Sequence, residues 1–375
     1  MNITQYLLNY IQSTKFQYME SDGLLNGNLG MVFYNLMLYR IFKKESYLTK
    51  IEYFLKIVLD NVNDEKSSVL KDSSLENGLS GLGFVLYLLL EDGIIDDTYA
   101  DQIATINEVV SAEAHRLLEE NNFDFLRGPV GILHYLATVN AKEYTCGIVE
   151  KMYEIYSANN HAFFYNESHY LEGVHIGYAH GICAIVKVLN DVDCPKCALM
   201  ITGLLKKLKE LIDNKEIYLE GKRYFLPRSI HKPSVYPEEL NYRAVLAWSN
   251  SDVNFSTLVY SLKPKYLTPE LMALAEEIAV SSVTRKREEE TRIKDHRFFY
   301  GSSGALKMYT KLYRNTKNQQ LKRAADFWYK KTVNFLLDNS SESHPLSFLN
   351  NLPGTTLALL EYEMQVESDW SVLML

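Results

Sequence analysis

Two side chains stand where proton chemistry is easiest to place. His180 directly precedes Gly181, and Asp124 lies four residues before Gly128; each sits at the entry to an apolar run. A histidine titrates near neutrality, so His180 reads as a proton donor or acceptor, with Asp124 as an acid of the same kind. The structural alternatives are ordinary. His180 can cap neighbouring carbonyls, and Asp124 can cap a helix entry. Cys194-Pro-Lys-Cys197 is a single CxxC. Alone it is at most half a zinc site, and no βαβ context supports a redox motif, so it reads as a loop-to-helix entry with two ordinary thiols. The run Arg285–Lys294 (RKREEETRIK) is a charge block. Pairing Glu288 with Arg292 and Glu290 with Lys294 at i,i+4 describes a solvated helix rather than a nucleic-acid patch.

Composition narrows the classes. The chain has 375 residues, 47% hydrophobic and 23% charged, with a net charge of −8. That length exceeds one ordinary core and points to several domains or to repeats. The acidic balance gives no footprint for nucleic acid or for an anionic membrane surface. The longest apolar run, Phe84 to Leu90, is too short to span a bilayer. The N-terminus lacks the features of a signal peptide, so a cytoplasmic protein is expected. Four cysteines in this length are not a disulfide framework. The 27 tyrosines reflect base composition or, at a cavity rim, suit peptide binding.

The elements that position these residues follow from a repeat. A small residue, two further residues, a second small residue and an apolar run recur seven times. The motifs are Gly27–Gly30, Gly78–Gly81, Gly128–Gly131, Gly181–Ala184, the degenerate Ser251–Asn254, Gly301–Gly304 and Asn351–Gly354. Successive anchors are 51, 50, 53, 70, 50 and 50 residues apart. The long step implies an insertion around 215–238, where three prolines break helical periodicity.

Each unit reads as two helices. Met31–Phe42 is apolar nearly all round and must be buried on every side. The next helix is amphipathic: Ile51, Phe54, Leu55 and Val58 share one face, away from Glu52, Lys56 and Asp60. Thr268-Pro269 starts another with an N-cap and Pro at N1, and Leu321, Ala324, Ala325, Trp328 and Phe335 repeat the spacing. No segment alternates as a strand. Fourteen helices, alternately fully and half buried, describe an all-α fold with an inner and an outer ring. A closed ring explains the glycines better than an open solenoid does. Inner-helix entries crowd together at one end, where glycine allows close approach and positive φ.

Seven repeats with these motifs resemble the LanC-like family, the lanthionine synthetase cyclases. SLENGLSGLG (residues 74–83) is similar to the family's second motif, and Gly177-Tyr-Ala-His180-Gly181 to its GxxHG motif. Leu246-Ala-Trp248-Ser249-Asn250-Ser251-Asp252 is similar to LAWCYGD, and Phe299-Tyr300-Gly301-Ser-Ser-Gly304 stands where CHGxxG is expected. The resemblance implies an α/α toroid of seven helical hairpins, a single domain over 1–375. It also implies an activity: zinc held by Cys, Cys and His takes a substrate thiol as thiolate, which adds to a dehydroamino acid of the same peptide. A nearby His and Asp handle the proton on the enolate carbon.

The departures from the family fall on the zinc ligands. Ser249, Phe299 and Tyr300 stand at the three ligand positions, and neutral hydroxyls and a phenyl ring are poor replacements for thiolate and imidazole. Asn250 replaces a Tyr, and Val245 stands where an Arg is expected, with Arg243 two residues away. No metal or other cofactor is therefore expected, although His180, His231 and His296 form the set left for a rearranged site. The retained residues are His180, Asp124, Trp248 and Asp252. His180, Asp124, Trp248, Ser249, Asn250 and Tyr300 are expected to converge at one mouth of the ring. Helix N-termini there favour anions or carbonyl oxygens.

Three functions compete. The first is a protein of ribosomal peptide maturation that binds a precursor peptide or a dehydratase-type partner enzyme, using Trp248, Ser249, Asn250, Asp252, Phe299 and Tyr300. The second is a zinc-independent cyclase, with His180 and Asp124 as acid and base. The third, a sugar-active α/α barrel, usually carries six hairpins and two carboxylates; seven repeats and one retained acid oppose it.

Overall fold

Apolar stripes repeated every fifty residues can all be buried at once if the hairpins close on themselves, and this is the arrangement in the computed structural model. It describes residues 3–13, 19, 21–168, 171–213, 216–231, 239–338, 347–349, 351–365 and 370–374. In chain order the helices are α1 (Ile3–Ser13), α2 (Asn28–Phe42), α3 (Glu45–Asn63), α4 (Leu79–Glu91), α5 (Ala100–Glu119), α6 (Pro129–Thr138), α7 (Lys142–Ala158), α8 (Ile182–Asp191), α9 (Pro195–Asp213), α10 (Val253–Val259), α11 (Pro269–Ser282), α12 (Glu288–Thr291), α13 (Ser302–Thr316), α14 (Gln319–Asp338), α15 (Leu352–Met364) and α16 (Ser371–Met374).

The inner helices α2, α4, α6, α8, α10, α13 and α15 each touch the next, and α15 touches α2. The ring is closed. Each inner helix begins at one of the seven motifs, and in α2 every residue from Asn28 to Leu38 is buried. Outer helices α3, α5, α7, α9, α11 and α14 bury one stripe each. In α3 these are the expected Ile51, Phe54, Leu55 and Val58, with Tyr47. Thr268 caps α11 as anticipated, its hydroxyl accepting from Leu271 N–H at 3.2 Å. The seventh inner helix is different, because its outer neighbour is α1 from the other end of the chain. No helix among the described residues is long and apolar enough to cross a membrane.

The motif glycines act through close approach. A Cβ on Gly131 would lie 1.9 Å from the Phe125 carbonyl oxygen, and one on Gly304 2.1 Å from that of Phe298. The expected positive φ is not used: Gly27, Gly78, Gly128, Gly181 and Gly301 are all extended, with φ between −107° and −147°. The residues two places before the seven anchors stitch the mouth together through main-chain hydrogen bonds. Leu25 N–H donates to Glu76, Glu76 to Leu126, Ala179 to Ser249, Ser249 to Phe299 and Leu349 to Leu25, at 3.0–3.4 Å; Phe298, one residue out of register, donates to Leu349.

Strands were not anticipated, and five short ones occur: β1 (Val174–His175), β2 (Ile217–Leu219), β3 (Lys222–Tyr224), β4 (Ser229–His231) and β5 (Glu239–Asn241). β2 and β3 form a hairpin, while β1, β4 and β5 form an antiparallel sheet in that order without β5 touching β1. The insertion thus pairs with the segment that leads to His180, as Val174 faces Ile230. Lys215 and residues 232–238 of the expected insertion lie outside the described residues.

The interior is filled by the end of the chain. Trp370 is fully buried, its ring 4.8 Å from that of Phe298, with Lys307 Nζ of α13 4.6 Å away over its face. His134 Nε2, on α6 across the ring, donates to the Val372 carbonyl at 2.6 Å.

Candidate functional site

The loops before α6, α8, α10 and α13 bring most of the candidate residues to one mouth. Asp124 comes from the turn before α6 and is completely buried. Its Oδ1 accepts from Arg127 N–H at 2.6 Å, and its Oδ2 lies 2.6 Å from His180 Nδ1. An ionised carboxylate accepts from Nδ1–H, and in the neutral imidazole that tautomer leaves Nε2 as the acceptor. The His180 side chain is 24% exposed. It lines a cavity of about 270 Å³ with Phe299, Tyr300, Glu76 and Arg127. Glu76 and Arg127 form an ion pair at its rim.

A second cavity, about 600 Å³, adjoins the first and shares Tyr300 with it. Ser249 and Asn250 line it, together with Arg228, Tyr242, Arg243 and Arg292. Asn250 Nδ2 donates to the Arg228 carbonyl at 3.4 Å, and that carbonyl also takes Ile176 N–H at 3.3 Å, so the insertion is fastened to the mouth. Tyr300 is 56% exposed between the two cavities, its ring edge-on to Phe299 at 4.5 Å. Burial raises its hydroxyl pKa, which keeps it a neutral donor.

Two of the expected binding residues are buried in contacts with other parts of the chain. Trp248 is buried, stacked on Tyr178 at 6.1 Å and packed against Phe298 and Phe299. Asp252 is buried and is not among the residues lining either cavity. Its carboxylate takes both terminal nitrogens of Arg285, at 2.6 and 2.8 Å, and the Phe225 N–H at 3.1 Å. Arg285 has no exposed side-chain surface, which corrects the reading of the charge block as one solvated helix. The helical part is only α12, and Lys294 pairs with Glu288 rather than Glu290. Glu290 is buried and bonded to Arg287.

The rearranged histidine set is not assembled. His296 is buried with Nδ1 3.2 Å from Thr355 Oγ1, and His231 Nε2 is 3.0 Å from Ser229 Oγ. The histidine near His180 is His175, with ring centres 6.5 Å apart. Burial, followed by the charge of His180, pushes the His175 pKa down to about 4, so it is neutral. Among the described residues no group of three His, Cys, Asp or Glu side chains could hold a metal. Cys194 and Cys197 are both buried at the entry to α9, and burial pushes the Cys197 thiol up to about 12. They are ordinary thiols.

The sequence reading missed Arg228 and Tyr242. Their only signal was position, since Arg228 lies within the long insertion and Tyr242 just after it, ahead of the motif that supplies Ser249.

A closed ring of seven hairpins, with its inner-helix entries gathered at one mouth, defines an α/α toroid with two adjoining cavities at that mouth. The chain belongs to the lanthionine synthetase C-like protein family, whose profile matches residues 18–375. Among solved structures it is similar to nisin cyclase, with a TM-score of 0.73 at 16% identity, covering 100% of this chain and 96% of that one. It also aligns to the GH76A alpha-1,6-mannanase of Salegentibacter sp. HEL1_6, with a TM-score of 0.44 at 11% identity over 94% and 90% of the two chains. A search of curated protein sequences finds no match.

The family's zinc does not fit the residues present. At the three ligand positions Ser249 offers a buried neutral hydroxyl, Phe299 an aromatic ring packed on Trp248, and Tyr300 a phenol whose pKa is raised. None supplies a thiolate, imidazole or carboxylate, the side-chain groups that ordinarily hold zinc.

Proposed function

We propose that this protein acts in ribosomal peptide maturation, in the cytoplasm, by binding a precursor peptide or its dehydratase-type modifying enzyme at the mouth of the toroid. The observation that carries this reading is the pair of adjoining cavities. They keep a concave surface of peptide size at the family's site, while the ligand positions hold Ser249, Phe299 and Tyr300. A thiol in water is only a few per cent thiolate at pH 7. Losing several kcal/mol of Lewis-acid assistance costs about a thousandfold in rate for every ~4 kcal/mol. Recognition outlives that loss; efficient thioether formation does not.

A second reading rests on the His180–Asp124 contact. An imidazole oriented through Nδ1 by a buried carboxylate presents Nε2 to the smaller cavity. There it can take the proton of a substrate cysteine as the sulfur adds to a dehydroamino acid, and return it to the carbon. One experiment separates the two. The protein is incubated with a dehydrated, cysteine-containing precursor, and free thiol is followed by alkylation and mass spectrometry. Binding without multiple turnovers supports the recognition role. Turnovers that survive chelator and vanish in His180→Ala establish zinc-free catalysis. Retention of neither peptide nor dehydratase in a pull-down overturns both.

A further inference from the structure

The larger cavity carries positive charge that the rest of the molecule does not predict. The chain is acidic overall, at −8, yet three arginines from three separate segments reach one cavity wall. Arg228 precedes β4, Arg243 follows β5 and Arg292 ends α12. Among the described residues none of the three has a carboxylate at ion-pair distance, although Arg40, Arg116, Arg127, Arg223, Arg285, Arg287 and Arg297 all do. Among the described residues the one acid on that wall is Glu220, in the β2–β3 turn.

The electrostatics of Arg228 agree with the geometry. It is half buried, and burial and then the neighbouring Arg243 charge both lower its pKa. A guanidinium held in that state lacks the countercharge that normally offsets desolvation. Two hydroxyls on the same wall are also unsatisfied. Ser249 Oγ and Tyr242 Oη are buried without a hydrogen-bond partner among the described residues. Buried polar groups are generally paired, so these two hydroxyls are donors beside the arginines for which the described residues supply no acceptor.

We propose that this cavity binds an acidic peptide segment, with Arg228 and Arg243 taking its side-chain carboxylates, Arg292 steering it at the rim, and Ser249 and Tyr242 donating to its carbonyl or carboxylate oxygens. This rests on the peptide-binding reading and adds the chemistry of the bound segment. Guanidinium forks match carboxylates in bidentate geometry. A volume of about 600 Å³ accommodates several residues of chain, far more than one small anion fills. Arginines drawn from three segments suit carboxylates spaced along a peptide better than a single phosphate. Tyr300 and Tyr242 supply flat contact area between the charged points.

The test uses fluorescence anisotropy with two labelled synthetic peptides that differ only in Glu against Gln at several positions, and a third with phosphoserine at those positions. The Glu peptide is expected to bind at least about tenfold more tightly than the Gln peptide at low salt, with the gap narrowing as salt rises. Arg243→Gln and Arg292→Gln alter exposed side chains and leave folding intact; Arg243→Gln is expected to remove most of the preference, as is Arg228→Gln, with partial recovery in Arg228→Lys. Equal binding of the Glu and Gln peptides overturns the acidic-segment assignment while leaving peptide binding in place. Tighter binding of the phosphoserine peptide than of the Glu peptide overturns the commitment to carboxylates. Failure to bind any of the three, or a dehydrated precursor, overturns the peptide reading and this inference with it.

Discussion

His180 Nδ1 and Asp124 Oδ2, 2.6 Å apart, bridge the third and fourth hairpins at the junction where the main-chain stitching of the mouth is interrupted. Six of the seven junctions carry a backbone hydrogen bond, five of them between corresponding motif residues and one from Phe298, and among the described residues Leu126 and Ala179 do not share one. The contact therefore has two roles that separate experimentally. Asp124→Asn replaces a charge-assisted bond by a neutral one at a buried site and is expected to cost about 1–3 kcal/mol in urea unfolding. If the pair serves only as a stitch, peptide affinity in Asp124→Asn follows the folded fraction. A loss of any residual thiol addition while the folded fraction is unchanged identifies His180 as a base.

The buried Arg285–Asp252 pair makes a sharper prediction. Arg285→Met leaves the Asp252 carboxylate uncompensated in the core and is expected to destabilise by about 3–5 kcal/mol. Arg285→Met combined with Asp252→Asn should recover a large part of that loss. A double-mutant cycle from urea midpoints tests it, and additive losses would show that the two side chains are not coupled.

Stability should fall on mild acidification. Burial, and secondarily Lys187, pushes the His134 pKa from 6.5 down to about 4, against the opposing pull of the Val372 carbonyl. Between those values the unfolded chain binds a proton that the folded chain does not. The contribution is complete above pH 6.5, is lost as pH falls towards 4, and levels below that. At 1.36 kcal/mol per unit it amounts to roughly 3 kcal/mol. In His134→Gln the unfolding free energy should depend less steeply on pH in that window; an unchanged slope would contradict a neutral His134.

Gly131→Ala places a methyl group 1.9 Å from a main-chain carbonyl at a helix entry. The loop cannot retreat without disturbing the turn that holds Asp124, so a loss of at least about 1–3 kcal/mol is expected in thermal or urea unfolding. Gly93, which has open space but a positive φ of 65°, serves as a contrast. Alanine there meets backbone strain alone, of about 1 kcal/mol.

Donor chemistry at the mouth can be restored. The Ser249 N–H donates to the Phe299 carbonyl at 3.3 Å, so the two positions are side by side. The combined substitutions Ser249→Cys, Phe299→Cys and Tyr300→His are expected to confer one equivalent of zinc, or of cobalt with thiolate charge-transfer absorption. Stoichiometric zinc in the unaltered protein that His180→Ala releases would show that the donor argument is wrong.

The repeat, the all-α toroid and the gathering of the motif residues at one mouth were legible in the sequence, for a local physical reason. A helix buried on every side must be apolar all round, an outer helix needs only a stripe, and a crowded entry excludes a Cβ. Each requirement marks its own stretch of chain, so the seven motifs located the inner helices, and Asp124, His180, Ser249 and Tyr300 with them. Other features depended on partners distant in sequence, and tertiary structure alone decided them. Arg285 looked like one cation in a solvated block until Asp252, 33 positions away, gave it a reason to be buried. α1 became the outer partner of α15 because closing the ring brings the chain ends together. The insertion formed strands because β1 and β4 could satisfy each other's backbone groups beside the mouth. The further pairing of β4 with β5 holds Arg228 beside Arg243, and no spacing along the chain encodes where two segments meet in space.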